Sequence, residues 1–240
     1  MEETYHKWYS QFLKRDLEML VFGEFGEPVI LFPHKKGRFY DCKDNGMIAA
    51  LESLIDSRKI KVYCPDTIDE ESWYNFSVHP SERVKKHLLY ESTIIKDVIE
   101  FTRYDTGKDR VILGGVDFGG YHALNLSLKH PELVSAMISV NGFYDIKQFI
   151  MGYYDEDCYF NNPFDYLPNL TDRKYLDPIE KIKFIFGVIE GDLSMRENLE
   201  ISSIFKLKKI GHRLDIRNDV PNGWDGWNKL MNEYLKQLFD

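Results

Sequence analysis

Residues 111–130, VILGGVDFGGYHALNLSLKH, constrain the fold of this chain more than any other stretch. The run Val111-Ile-Leu113 is apolar without interruption, which suits a strand buried on both faces. Four glycines follow in two pairs, Gly114-Gly115 and Gly119-Gly120, and a helix-compatible sequence begins at once. A buried strand that turns through glycine directly into a helix is half of a βαβ unit, and the next apolar run, VSAMISV at 134–140, supplies the second strand.

The same alternation extends along the chain. Strand patterns occur at 16–22 (DLEMLVF) and 28–32 (PVILF), joined by a Gly-rich turn from Gly23 to Gly26. Others lie at 60–64, 110–116, 182–189 and 212–217. Helical spacing marks 45–57, with Met47, Leu51, Leu54 and Ile55, and 82–102, with Val84, Leu88, Ile95 and Val98 on one face. Further helices are expected at 119–130, 194–208 and 224–238, the last with a stripe of Trp227, Met231, Tyr234, Leu235 and Leu238. The expected fold class is α/β, with a mainly parallel central sheet and helices on both faces. The chain has 240 residues, 43% of them hydrophobic, which suffices for one domain over 1–240. Residues 143–176 break the alternation. This aromatic-rich insertion is expected to be either a lid over the site or a subunit contact.

Several function classes are disfavoured. The formal net charge is -8 and the basic residues are scattered, so neither nucleic acid nor an anionic membrane surface is an expected partner. No apolar run approaches the length of a membrane span. The opening MEETYHKWYS has no apolar h-region, so a signal peptide is not expected. Cys42, Cys64 and Cys158 are then free thiols in a reducing cytoplasm. Without C-x-x-C or H-E-x-x-H, no metal and no cofactor are expected. A small-molecule ligand at the turn is the expected partner, and a homo-oligomer is left open.

In parallel α/β sheets, ligands bind beyond the C-terminal strand ends. That rule selects Asp117, the loop Glu190-Gly-Asp192 and the loop NDVPNGW at 218–224. At the first of these the residues become specific. GGVDFGGYHALNLSLKHPELVSAMISVNGFYDI resembles the esterase branch of the α/β-hydrolase superfamily, the group that includes enterochelin esterases and the antigen 85 mycolyltransferases. YHKWYSQFLKRDLEMLVFGEFGEPVILFP, DTIDEESWYN, YYDEDCYFNNPFDYLPNL and WDGWNKLM extend the likeness nearly end to end.

The resemblance implies a nucleophile, an acid and a histidine in that chain order. It places Asp117 at the nucleophile position, in Gly115-Val-Asp117-Phe-Gly119, where the family has Gly-x-Ser-x-Gly. Phe118 would supply one oxyanion N–H, and the loop Pro33-His34-Lys35 the second. Asp192 matches the acid. Asn222, two residues before Trp224, stands where the base histidine belongs. Asparagine has no basic nitrogen and cannot serve as a general base.

These substitutions leave three readings. In the first, the serine–histidine chemistry is lost and the protein binds or scaffolds. In the second, Asp117 attacks as a carboxylate, as in haloalkane dehalogenases and epoxide hydrolases. In the third, Asp117 activates water for residual esterase activity. The second requires a histidine to hydrolyse the ester intermediate. His34 is the first candidate for a displaced base, ahead of His122 and His212. The structural alternative makes Asp117 and Asn222 helix N-caps, the latter with Asp225 as a capping box, and makes Ser194 and Glu197 a second capping box.

Overall fold

A computed structural model describes residues 1–239. Eight strands form one sheet: β1 (Glu3–Ser10), β2 (Arg15–Phe22), β3 (Glu27–Phe32), β4 (Ile60–Pro65), β5 (Val111–Val116), β6 (Val134–Val140), β7 (Lys183–Ile189) and β8 (His212–Arg217). Their spatial order is β1-β2-β4-β3-β5-β6-β7-β8. β1 pairs with β2 and β2 with β4 antiparallel, and every later pair is parallel. The expected α/β class and the mainly parallel sheet are therefore present.

β5 lies at the centre, and all six of its residues are buried. Both faces of the sheet carry apolar layers. One gathers Leu113, Leu124, Met137 and Phe186, and the other Val29, Ile112, Ile138 and Met231. Burial on both faces is why β5 reads as an unbroken apolar run rather than an alternation.

Periodicity did not mark β1 as a strand, although the resemblance ran through YHKWYS. Its burial alternates between exposed and half-buried, as on an edge strand, and its half-buried positions include Thr4 and His6. Neither residue gives an apolar signal. The helix expected at 82–102 extends from Pro80 to Thr106 and changes at Ile94–Ile99 to a π-helical turn. Val84 and Val98 of its predicted face are buried, while Leu88 and Ile95 are half-buried.

The chain order reverses at β3. From there the sheet grows one way to β4 and the other way to β5. At such a switch point the connections leave in opposite directions and open a crevice at the C-terminal strand ends. The loop after β3 and the turn after β5 both emerge there. Glycine lets them approach. A Cβ on Gly119 would stand 2.2 Å from the Pro33 carbonyl oxygen, and one on Gly115 would stand 2.1 Å from the Gly119 oxygen. The β3 loop and the helix Phe118–Lys129 could not pack this closely with any larger residue.

The insertion at 143–176 is not a bare loop. It folds into helical turns at Lys147–Ile150, Glu156–Tyr159, Pro163–Asn169 and Arg173–Ile179. Its first part stays at the C-terminal strand ends, where Phe149 packs 5.3 Å from Phe118 between ring centroids. The chain then descends the helix Phe118–Lys129. Asn161 accepts from the Tyr121 hydroxyl through its carbonyl, and from Asn125 and Lys129 through its side chain. The turn Arg173–Ile179 finally packs on Pro131–Leu133, just before β6 begins. Phe143, at the start of the insertion, donates its N–H to the Asp117 carbonyl, and Cys158 shares a core cluster with Phe118.

Candidate active site at the strand-to-helix turn

Asp117 joins β5 to the helix Phe118–Lys129 with φ 53 and ψ -123. A non-glycine residue there costs about 1–3 kcal/mol unless its surroundings hold it. They do. Its N–H donates to the Val140 carbonyl at 3.0 Å, and its carbonyl accepts from Gly120 at 3.0 Å and Phe143 at 3.3 Å. The side chain is 6% exposed.

The carboxylate does not cap its helix, contrary to the capping expectation. It points to the loop after β3 instead, where Oδ2 accepts the Lys35 backbone N–H at 2.9 Å. With ψ at -123, the residue is turned out of the path of the helix, so the N–H groups of the first turn are not the donors it meets. Lys35 belongs to the loop Pro33-His34-Lys35, from which the second oxyanion N–H was expected. The Asp117 carboxylate thus occupies an amide of that loop. Phe118 supplies the first residue of the helix, and its ring is buried against Tyr121, 4.9 Å away.

The next amide of the loop is bound in the same way. Lys36, at φ 57, donates its N–H to Asp69 Oδ2 at 2.9 Å. Asp69 Oδ1 meets His122 Nε2 at 2.8 Å, and both side chains are buried. Thr67 donates to the Gly37 carbonyl at 2.6 Å. Two carboxylates therefore pin consecutive N–H groups of one loop. Asp69 was missed as a site residue, although it lies in the quoted segment DTIDEESWYN. Nothing in that segment alone says that an acid will face the β3 loop.

His34 is on this loop but turns away. Its ring packs on Trp224 at 5.5 Å, and Nδ1 stands 3.8 Å from Asp41. His122 is bound to Asp69, and His212 to Ser202 at 2.7 Å. Among the described residues no histidine hydrogen-bonds to Asp117.

Asp192 and Asn222, expected at the acid and base positions, make no hydrogen bond to Asp117 among the described residues. Asp192 Oδ1 accepts from the Ser194 N–H at 2.8 Å and the Ser194 hydroxyl at 2.6 Å. Asn222 is exposed in the loop after β8. The helix Trp224–Gln237 has Gly223 as its N-cap, without a side-chain bond, so the expected Asn222 cap does not form. The Ser194–Glu197 capping box does not form either. Glu197 Oε2 instead accepts the N–H groups of Tyr144 and Asp145, at the start of the insertion. Burial raises the Glu197 pKa against the pull of those two bonds. For Glu197 a tertiary partner outcompeted the local one, whereas Ser194 bonds locally to Asp192.

Among the described residues no three His, Cys, Asp or Glu side chains gather into a metal-binding group. The three cysteines are free and buried. No helix among the described residues is long and apolar enough to cross a membrane.

The family described as alpha/beta hydrolase fold matches residues 74–172, a span that includes the turn at Asp117. The fold is that of the α/β-hydrolases. Solved structures share it across the whole chain, and esterases of the anticipated branch are among them. A ferulic acid esterase superposes with a TM-score of 0.79 at 12% identity, covering 99% of this chain and 97% of its own. The enterobactin esterase of Shigella flexneri gives 0.63 at 16% identity, covering 100% of this chain and 61% of its own. MPT51 of Mycobacterium tuberculosis gives 0.64 at 16% identity, covering 98% of this chain and 97% of its own. No curated protein sequence matches the chain. In this α/β-hydrolase fold, Asp117 sits at the turn between β5 and the helix Phe118–Lys129.

Proposed function

We propose that this α/β-hydrolase-fold protein has lost serine–histidine chemistry and acts as a binding protein, with a small molecule as its ligand at the elbow. The observation that carries the reading is the bond from the Lys35 N–H to Asp117 Oδ2. A serine enzyme keeps that amide free for the charge that develops on its substrate. Here a fixed negative charge holds it and repels an incoming oxyanion. The reading in which Asp117 is itself a nucleophile or base has less support. It needs a basic nitrogen, and all the histidine contacts at hand lead elsewhere.

The first part of the insertion then acts as a cover, with Phe149 closing over Phe118 and Tyr74. The remainder stabilises the outer side of the helix Phe118–Lys129 within a single domain. Buried free thiols and an acidic surface fit a cytoplasmic protein without a nucleic-acid partner.

Hydrolysis of p-nitrophenyl acetate and butyrate tests this. The expected result is turnover no faster in the native protein than in Asp117→Ala. Asp117→Ser alone should remain inactive, because Asn222 still supplies no base. Native hydrolysis at ordinary esterase rates, abolished by Asp117→Ala, would overturn the reading.

A further inference from the structure

Aspartate at this turn reverses the sign of the site. An oxyanion site gathers N–H dipoles around a place where negative charge will appear. Here a carboxylate stands at that place, in a residue only 6% exposed. The Lys35 N–H is the one hydrogen bond to the Asp117 carboxylate among the described residues, and it leaves Oδ1 without a donor. No lysine, arginine or histidine side chain pairs with Asp117 among those residues, whereas Asp69 has His122. A buried carboxylate with no positive partner is costly, and a bound cation is the direct way to offset that cost.

Phe118 follows Asp117 in the chain and belongs to an aromatic cluster with Phe149 and Tyr74. Tyr74 lies 5.3 Å from Phe118 and 4.7 Å from Phe149 between ring centroids, and Phe118 lies 5.3 Å from Phe149. Tyr74 is within the field of both acids. Burial, then the charges of Asp69 and Asp117, push its phenol pKa well up and keep it neutral. Aromatic faces attract cations, and this cluster already holds two. The Lys36 ammonium stands 5.3 Å from the Tyr74 centroid, and the Arg83 guanidinium 4.7 Å from that of Phe76. Phe76 in turn neighbours Phe149 at 6.4 Å.

We propose that the elbow binds a small organic cation, an alkyl- or quaternary ammonium, between Asp117 Oδ1 and the wall of Tyr74, Phe118 and Phe149. The proposal rests on the non-catalytic reading of Asp117 and gives its ligand a chemical class. The site is closed in this structure, and Phe149 is the gate. It lies on the short turn Lys147–Ile150, which is followed by Met151 at φ 49 and Gly152 at φ 84, both exposed. Arg83 holds the turn down through the Phe149 carbonyl. Lifting that turn opens the aromatic wall without disturbing the sheet.

The test is an amide NMR titration of the full chain with tetramethylammonium chloride, its uncharged isostere tert-butanol, and sodium acetate, at constant ionic strength. Tetramethylammonium should shift the Lys35 and Phe118 amides saturably, and the other two should not. Asp117→Asn should weaken binding at least ~10-fold, as expected for loss of a buried counter-charge. Tyr74→Leu should weaken it about 5-fold, and Tyr74→Phe, which keeps the ring, by less. If Asp117→Asn does not fold, the order of the two Tyr74 variants decides. No saturable shift with tetramethylammonium, equal shifts with tert-butanol, stronger binding of acetate, or undiminished binding in Asp117→Asn would overturn the proposal. The ester assay separates the two ideas. Failure to bind the cation, with no Asp117-dependent hydrolysis, removes this proposal alone. Asp117-dependent hydrolysis removes the reading beneath it.

Discussion

Replacing Asp117 by alanine and by glycine separates two opposed energies at the elbow. The backbone at φ 53 and ψ -123 is a conformation that glycine adopts freely and a Cβ resists. The side chain meanwhile offers a charged acceptor to the Lys35 N–H at 2.9 Å, in a site only 6% exposed. A hydrogen bond to a charged group contributes about 1.5–3 kcal/mol, and its loss leaves the Lys35 amide without that partner. Asp117→Ala removes the bond and keeps the backbone strain, so it should destabilise by about 1.5–3 kcal/mol. Asp117→Gly also removes the bond but releases about 1–2 kcal/mol of strain, so it should be clearly more stable than the alanine variant. Asp117→Asn retains a neutral acceptor and should lose about 1 kcal/mol. Urea unfolding gives these differences, provided the m-values agree so that midpoints report stability. Alanine equal to or above the native protein would refute the stabilising role of the Lys35 bond. Glycine no better than alanine would refute the strain.

Two further predictions rest on groups other than Asp117. Burial, then the neighbouring His122, lowers the His87 pKa from 6.5 to about 3, while Glu91 opposes and Lys129 assists. A depressed histidine is neutral when folded but gains a proton when unfolded. Its contribution is therefore full above pH 6.5 and is lost as pH falls toward 3, by at most about 5 kcal/mol. His87→Gln should flatten urea stability against pH in that window, and an unchanged slope would refute the assignment. Glu197→Ala should leave the Tyr144 and Asp145 N–H groups unpaired and destabilise by about 2–3 kcal/mol, with faster exchange of those two amides. Glu197→Gln should cost less, and unchanged exchange in the alanine variant would show that the carboxylate does not anchor the insertion.

The sequence by itself determined the fold class, the positions of the central strands and the place of the elbow. These depend on local periodicity and on glycine, which are properties of neighbouring residues. VSAMISV became β6 and HRLDIR became β8 with the expected bounds, and the glycines at 115 and 119 marked where backbone would touch backbone. Edge strand β1 escaped because half-burial beside polar residues leaves a weak apolar pattern.

Only the tertiary structure decided what each polar side chain binds. Asp117, Ser194 with Glu197, and Asn222 all stand before helices and read as caps, yet none caps. A cap is worth about 1 kcal/mol, and a buried N–H without a partner costs as much or more. The part-buried amides of Lys35, Tyr144 and Asp145 therefore replace the local alternatives for Asp117 and Glu197. The pairing of Asp69 with the Lys36 amide and His122 spans 33 and 53 residues. No spacing rule reaches that far, because the two partners meet only once β3 and β5 lie side by side.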